Sequence, residues 1–509
     1  MCGVSATIGG PRTETREGVV VAPFQWRPVL AVSLALSALL LVLAGEYGYY
    51  MDELYFRVAG AHPAWGYVDQ PPLVPLLAKA QIALFGDTPF AVRVVPALLA
   101  GLSVWVAAHI ARELGGGGRA QVLAAFAAAG TLATLSAGHV LHPTAVDHVV
   151  WVALCWLLVR LLRTRDSRLW LAIGAVVGVG LLAKYLVVLL VVGLAAGLLG
   201  AGPRHVPRDR FLAAGAGIGA VIALPVLIWQ ATHGWPQLSM ASDLSEPLGV
   251  GSAVSFLVGQ VLMIGPFLTP LWVAGLVALF RRPQWRDYRA LAVAYVAIAV
   301  VLVLVGGFGR YTEGLLTALT AAGCVPAADW LSTLPRRIVL AVAVVANAAL
   351  AAVMCLPVLP VSAYAEDSPL AGLGEAQLGQ TGWEELTTQV AAVYGTLPPA
   401  ERAHAVVYGQ NYAEAGAVDR FGPARGLPPA YSALNSYYDF GHPGDDKTVV
   451  IAVGVDPDAF APHFTRCERA ATLHFALPHL EAGQQVLLCH DPVESWDRLW
   501  PRLRWVGTF

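Results

Sequence analysis

Two adjacent acidic residues stand where the first long apolar stretch of the chain ends. Asp52 and Glu53 follow the apolar residues 29–45 and the aromatic segment EYGYY at 46–50. Tyrosine concentrates at membrane–water interfaces. Neighbouring side chains on a helix point about 100° apart, so the two carboxylates cannot both address one atom. We expect one to act as an acid or base while the other orients it, binds a cation or holds Arg57; two solvated interfacial charges are the alternative.

A further candidate catalytic acid, Asp147, lies a few residues inside a later apolar segment and is close in sequence to several histidines. An ionisable group within a membrane-length segment is costly and therefore marks a functional candidate. A carboxylate stabilised by the positive end of its own helix is the alternative. His139 and His142 are candidate metal ligands, although their spacing fits no specific metal motif.

Basic and polar residues near these acids could bind an anionic substrate, and arginine would do so through two parallel hydrogen bonds. The candidate substrate-binding residues are Arg57, Asp69, Gln70, Arg93, Lys184, Arg310 and Tyr311. The proline pair at 71–72 fixes the backbone and should hold Asp69 and Gln70 on a rigid turn. Taken singly, each basic residue also suits a position at the membrane interface, with its charge reaching water.

The composition indicates a membrane protein. Of the 509 residues, 57% are hydrophobic and only 13% are charged, which exceeds what the core of a soluble domain needs. Membrane-length segments recur, and we predict a helical bundle of about 11 spans. They cover residues 29–45, 92–112, 120–136, 145–162, 169–183, 185–201, 211–230, 254–280, 290–305, 314–331 and 338–358. The net charge of −2 gives no indication of nucleic-acid binding.

The distribution of basic residues predicts the orientation. Clusters at 160–168, 203–210, 281–289 and 335–337 fall on one side of the predicted membrane, as cytoplasmic loops require, together with Arg12, Arg16 and Arg27. The amino terminus would then be cytoplasmic. The first outer loop, 46–91, and the carboxyl terminus would lie outside. This assignment requires a chain break at Lys184 between two short spans.

Composition becomes that of a globular protein near residue 361, so we predict a membrane domain at 1–360 and a small extracytoplasmic α/β domain at 361–509. WEELTTQVAAVYGTL has helical spacing, whereas HAVVYG, KTVVIAVGV and QQVLLC have the composition of short strands. Cys467 and Cys489 are the two cysteines in this region, and a disulfide between them is plausible outside the cytoplasm.

Several motifs resemble glycosyltransferase family 39 of the GT-C superfamily, which includes protein O-mannosyltransferases and is related to lipid A aminoarabinose transferases. They are YYMDELYF, AWGYVDQPPLVPLLA, HPTAVDHVVW, GLLAKY, LIWQATHGWPQL, VYGTLPPAERAHAVV and NYAEAGAVDRFGPARGLPP. Bacterial relatives often carry GGKxYY where this chain has GGFGRYTEG at 306–314. Arg310 and Tyr311 therefore stand at the position of the expected phosphate contact.

The resemblance implies an inverting transferase that takes a sugar from a polyprenyl monophosphate and passes it to a protein, lipid or glycan on the extracytoplasmic face. It implies that Asp52 is the catalytic base, while Lys184 and Arg310 are our candidates for stabilising the leaving phosphate. A divalent cation held by Glu53 or Asp147 could share that role. A polytopic transporter or lipid flippase is the main alternative, and a non-catalytic scaffold is another.

Overall fold

The computed structural model describes residues 21–203, 209–243, 250–365 and 367–507. Arg12 and Arg16, two of the basic residues used to predict the orientation, lie outside these ranges, as does most of the basic cluster at 203–210.

The first part of the chain is helical. Its helices are α1 (Trp26–Leu43), α2 (Met51–Ala61), α3 (Leu73–Phe85), α4 (Pro89–Glu113), α5 (Gly118–Ala129), α6 (Leu132–His139), α7 (Pro143–Thr164), α8 (Leu169–Ala183), α9 (Val187–Ala201), α10 (Arg210–Thr232), α11 (Pro236–Asp243), α12 (Val250–Ile264), α13 (Thr269–Arg281), α14 (Arg289–Leu304), α15 (Glu313–Trp330) and α16 (Leu334–Cys355).

Within the described residues, six of these helical segments are long and apolar enough to cross a membrane, or up to eight if each bent pair counts as one span. The six contain α1, α4, α7, α10, α14 and α16, and the bent pairs are α5 with α6 and α12 with α13. The remaining predicted spans form α8, α9 and α15, which do not meet the same criteria of length and hydropathy. The chain is therefore a multi-pass membrane protein, and the predicted break at Lys184 between α8 and α9 is confirmed.

The predicted span 254–280 is not one straight helix. Its two halves, α12 and α13, meet at an angle of 104°. Gly265 adopts a φ of +95°, which favours glycine, and Pro266 follows it. The glycine–proline pair was therefore a break signal within an otherwise apolar segment.

Helices in the bundle approach each other closely where both present glycine. A Cβ on Gly174 of α8 would lie 1.9 Å from the carbonyl oxygen of Gly215 on α10. Small residues of this kind bring membrane helices into backbone contact, because lipid supplies no hydrophobic force between them. At the centre of the bundle, α15 is buried at every residue from Glu313 to Val325.

The carboxyl-terminal part folds around a five-stranded sheet, and we call residues 375–507 the sheet domain. Its elements are α17 (Glu375–Leu378), α18 (Trp383–Thr396), α19 (Pro399–Arg402), β1 (Ala405–Gly409), α20 (Tyr412–Phe421), β2 (Ala430–Tyr431), β3 (Val449–Val453), α21 (Pro457–Phe460), β4 (Phe464–Thr472), β5 (Gln485–Pro492) and α22 (Trp496–Leu503). Strands β2, β1 and β3 are parallel, while β5 is antiparallel to both β3 and β4.

The predicted helix and the three predicted strands correspond to α18, β1, β3 and β5. Strand β4 was not predicted. It lies at the edge of the sheet and exposes most of its side chains, so its sequence, FTRCERAAT, lacks the apolar pattern of a buried strand. Cys467 of β4 lies opposite Cys489 of β5, and the two are joined by a disulfide.

The two faces of the sheet enter different hydrophobic cores because alternate residues of a strand point to opposite sides. Val406 and Val450 face a core built with α22. Val407 and Ile451 face a second core that contains α18 and α20 together with residues of α2 and α3. This second core, which we call the shared core, fixes α2 against the sheet domain and therefore positions Asp52.

Candidate active site

Asp52 lies in the first turn of α2, where it contacts elements that are distant in sequence. Its Oδ1 accepts a hydrogen bond of 2.8 Å from the hydroxyl of Tyr412, and its Oδ2 lies 3.7 Å from Nε2 of His142. Burial raises the pKa of Asp52 to about 6, and the hydrogen bond from Tyr412 opposes that rise. A carboxyl group with a pKa slightly below neutrality can accept a proton from a substrate hydroxyl near pH 7.

Glu53 has a different environment. Its side chain is fully buried and accepts hydrogen bonds from Arg93 at 2.8 and 3.0 Å. The backbone N–H groups of Leu141 and Tyr50 also donate to it, at 2.9 and 2.8 Å. The remaining donors of Arg93 bind the carbonyl oxygens of Ala44 and Gly48. These contacts join α2, α4, the end of α1 and the segment before α7, so they favour a structural role for both Glu53 and Arg93.

A second acid stands beside Asp52. The hydroxyl of Tyr55 donates to Oδ1 of Asp69 at 2.8 Å, and the ring of Tyr55 stacks on that of Tyr412 with 4.6 Å between centroids. Burial raises the pKa of Asp69 to about 7, and the charge on Asp52 adds to the rise. The two tyrosines thus link the two carboxylates in one cluster.

A cavity of about 280 Å³ opens next to this cluster. Its polar lining comes from Asp69, Lys184, Tyr185, Gln237 and Tyr311, and apolar side chains complete the wall. Asp52 does not line this cavity. Gln70 is buried, and within the described part of the chain neither polar atom of its side chain has a hydrogen-bond partner.

The four candidate cations differ in whether a carboxylate forms an ion pair with them. Arg93 is neutralised by Glu53, and Arg57 forms ion pairs with Asp87, at 2.7 Å, and with Asp419. By contrast, neither Lys184 nor Arg310 has a carboxylate within 4.0 Å among the residues that the structure describes.

The two unpaired cations lie near the aromatic ring of Tyr311. Lys184 Nζ lies 5.6 Å from the ring centroid, and the Arg310 guanidinium lies 5.9 Å from it. Both positive charges act on His142, and Arg310 also acts on Asp52. The geometry therefore places two cations that form no ion pair with the described residues beside the carboxylate cluster, where they could hold an anion.

Asp147 is buried and accepts a 3.0 Å hydrogen bond from the indole of Trp151 one turn along α7. The helix begins with His142 as its N-cap and Pro143 in its first turn, an arrangement that satisfies free backbone N–H groups. Asp147 is within electrostatic range of Lys184. Its described interactions are thus with Trp151 and Lys184 rather than with Asp52.

Comparison with known proteins shows which known fold this chain shares. Residues 69–229 match the family model described as dolichyl-phosphate-mannose-protein mannosyltransferase. ArnT from Cupriavidus metallidurans, in a crystal structure with undecaprenyl phosphate, superposes with a TM-score of 0.60 at 17% identity, over 90% of this chain and 97% of that one. This chain shares the fold of ArnT. The arabinofuranosyltransferase AftD from mycobacteria shares that fold, with a TM-score of 0.53 at 14% identity, over 94% of this chain and 41% of AftD.

The resemblance inferred from the motifs is thus confirmed at the level of the fold. Curated protein sequences include no significant match to this chain. The residues covered by the family model include Asp69, His142, Asp147 and Lys184, whereas Asp52 lies before them.

The positions of the candidate metal ligands give no support to the predicted metal site. His139 is buried, and its Nε2 lies 3.1 Å from the amide oxygen of Gln380. His142 Nδ1 lies 2.8 Å from the hydroxyl of Thr144. Within the described ranges, no three His, Cys, Asp or Glu side chains converge as a metal ion requires.

Tyr412 is one of the site residues that our reasoning from the sequence missed, together with Tyr55, Tyr185 and Gln237. It is the first residue of α20, directly after Asn411, which caps the helix, and two residues before Glu414, which completes the capping box. The N-x-x-E pattern in NYAEAG could have identified the start of a helix. Nothing in the local sequence indicates that this helix end contacts Asp52, because the two residues are 360 positions apart.

Proposed function

We propose that this protein is an inverting glycosyltransferase that moves a sugar from a polyprenyl-monophosphate donor to a protein, lipid or glycan acceptor. The observation that carries the proposal is the juxtaposition of a positioned carboxylate, Asp52, with two cations, Lys184 and Arg310, that have no carboxylate partner among the described residues. The GT-C fold supports the reaction class. The undecaprenyl phosphate bound by the related ArnT structure supports the donor class.

The proposed reaction is a single displacement at the anomeric carbon. The hydroxyl oxygen of the acceptor forms a bond to that carbon and gives its proton to the Asp52 carboxylate. The bond between the anomeric carbon and the donor phosphate oxygen breaks, and its electron pair stays on the phosphate. Attack from the face opposite the leaving group inverts the configuration, as in inverting glycosidases.

Negative charge grows on the departing phosphate, so fixed cations stabilise the transition state more than the ground state. Lys184 and Arg310 have this role in our proposal, and Asp69, Gln70 and Tyr311 contact the sugar or the phosphate. Asp147 orients Lys184 electrostatically. The cavity that contains Lys184 and Asp69 would receive the head group, while the prenyl tail stays in lipid, where each buried CH₂ contributes about 0.8 kcal/mol.

The proposal also includes the side of the membrane on which the site lies. Basic residues concentrate at the opposite end of the bundle, where Arg112, Arg160 and Arg163 surround the buried Glu113. Positive charge marks the cytoplasmic side of membrane proteins, so the site and the sheet domain would face away from the cytoplasm. A disulfide between Cys467 and Cys489 is consistent with that compartment.

The test is donor consumption by the purified protein in proteoliposomes. Polyprenyl monophosphates that carry hexoses or pentoses are supplied with a cell-envelope extract as acceptor, and mass spectrometry follows free polyprenyl monophosphate and the glycosylated product. We expect both to accumulate together, with inverted anomeric configuration. Protein-free vesicles are the control. Movement of the intact lipid-linked sugar across the bilayer without cleavage would instead identify a flippase.

Lys184→Met is expected to lower kcat by about 10²–10³-fold, because the substitution removes a fixed positive charge from the leaving phosphate while keeping an apolar side chain of similar length. The measurement is steady-state transfer at saturating donor. Lys79→Met, at an exposed position of α3, is the matched control and should leave kcat unchanged. A Lys184→Met protein with the wild-type kcat would contradict the assignment of Lys184 to the phosphate.

A further inference from the structure

The sheet domain supplies a side chain to the carboxylate cluster. Tyr412 stands at the first position of α20, and a reciprocal capping box fixes this helix end. The side chain of Asn411 accepts from the N–H groups of Ala413 and Glu414, each at 2.9 Å, and Glu414 accepts from the N–H of Asn411 at 3.0 Å. The backbone that carries Tyr412 is therefore held in one conformation.

The packing of α20 on α2 fixes the distance between Tyr412 and Asp52. A Cβ on Gly416 would lie 3.0 Å from the Cβ of Leu54, so the small residue permits close approach of the two helices. The ion pair between Arg57 and Asp419 holds the next turn. The Tyr412 ring stacks on Tyr55, and its hydroxyl donates to Asp52 at 2.8 Å.

We propose that Tyr412 is a positioning residue that holds the Asp52 carboxylate in the orientation and ionised form that general-base catalysis requires. The sheet domain thereby completes the active site, in addition to any part it has in acceptor recognition. This inference rests on the proposed function, because Tyr412 acts through Asp52 and does not itself contact the reacting atoms.

Electrostatic interactions determine whether loss of the Tyr412 hydroxyl raises or lowers the pKa of Asp52. Among the described residues, the charged or titratable groups that interact with Asp52 are Tyr50, Glu53, Asp69, His142, Arg310 and Tyr412. Burial raises the pKa of Asp52 to about 6, while the hydrogen bond from Tyr412 lowers it. Loss of the Tyr412 hydroxyl should therefore raise the pKa of Asp52 further, so that the base is protonated at a higher pH.

The experiment compares pH profiles of kcat/KM for the wild type and Tyr412→Phe, which keeps the ring stacked on Tyr55. In the wild type, activity should fall as the pH drops through about 6, because only ionised Asp52 accepts a proton. In Tyr412→Phe this acidic limb should move up by about one pH unit, with about a fivefold loss at pH 6, about a tenfold loss below pH 5 and recovery toward the wild-type rate above pH 8.

Tyr394→Phe is the matched control, because the hydroxyl of Tyr394 donates to the carbonyl oxygen of Arg402 at 3.4 Å in the same domain, away from the carboxylate cluster. Its pH profile should match that of the wild type. Incorporation of 3-fluorotyrosine at position 412 keeps the side chain nearly unchanged in shape and makes the hydroxyl a stronger donor. It should move the acidic limb to lower pH, and it remains informative if Tyr412→Phe folds poorly.

An active Tyr412→Phe protein with the wild-type pH profile would overturn the positioning role and leave the proposed function intact. If the wild-type protein consumes no lipid-linked sugar, the proposed function fails instead. The contact is then tested by thermal unfolding of Tyr412→Phe, Asp52→Ala and the double variant. Coupling at pH 7 that weakens at pH 5 would support a hydrogen bond to the ionised carboxylate, and additive effects at both pH values would refute it.

Discussion

Asp52→Asn is expected to lower the rate of glycosyl transfer by about 10²–10⁴-fold, which is the usual contribution of a positioned general base. Asparagine has nearly the same shape and still accepts the hydrogen bond from Tyr412, but it does not take a proton from the acceptor hydroxyl. Binding of the donor should change little, because Lys184 and Arg310 remain. The loss should therefore appear in kcat, with little change in the KM for the lipid-linked sugar.

The measurement is single-turnover and steady-state transfer in proteoliposomes, with thermal unfolding to show that the variant is folded. Asp458→Asn removes an exposed carboxylate of the sheet domain and serves as the control for the same chemical change away from the site. Full transfer by Asp52→Asn would exclude Asp52 as the base and would direct attention to Asp69, the carboxylate that lines the cavity.

Arg93→Ala is expected to reduce the free energy of unfolding by about 3–5 kcal/mol, because it leaves Glu53 as an unpaired charge in a buried position. The substitution also removes donors to the carbonyl oxygens of Ala44 and Gly48. The measurement is thermal or denaturant unfolding of the purified protein. Arg425→Ala is the matched control: its partner, Glu384, is largely exposed, and such pairs contribute at most about 1 kcal/mol.

Arg93→Lys separates charge from geometry. Lysine keeps the positive charge but lacks the planar fork that binds both oxygens of Glu53, so an intermediate loss of stability is expected. Wild-type stability in Arg93→Ala would show that Glu53 is not held as an ion in the folded protein, and the structural role favoured here for this pair would be wrong.

The sequence predicted the fold class because membrane spans and strands carry local signals. Apolar length identified the bundle helices, and β-branched runs identified β1, β3 and β5. Local signals also exist for features that were missed, such as the glycine–proline break after α12. Edge strand β4 has no such signal, since its side chains are mostly exposed.

The sequence predicted which types of residue form the site, but it predicted their arrangement only in part. An acidic pair after the first span indicates chemistry, but nothing near residue 53 reveals that Arg93 neutralises Glu53 or that the N–H of Leu141 also binds it. Similarly, Arg57 and Lys184 look alike as cations at an interface. Only the folded chain shows that Arg57 is paired with acids while Lys184 has no such partner within the described residues.

The shared core has a consequence for engineering acceptor preference. The change in composition near residue 361 suggests a convenient point at which to exchange modules between related transferases. However, Leu54 and Tyr55 of α2 pack in the same apolar interior as Val407 and Ile451 of the sheet. A chimaera joined at that point would pack α2 and α3 of one protein against the sheet of another, although their apolar side chains are not complementary. A transplant that respects the packing would carry α2 and α3 along with the sheet domain.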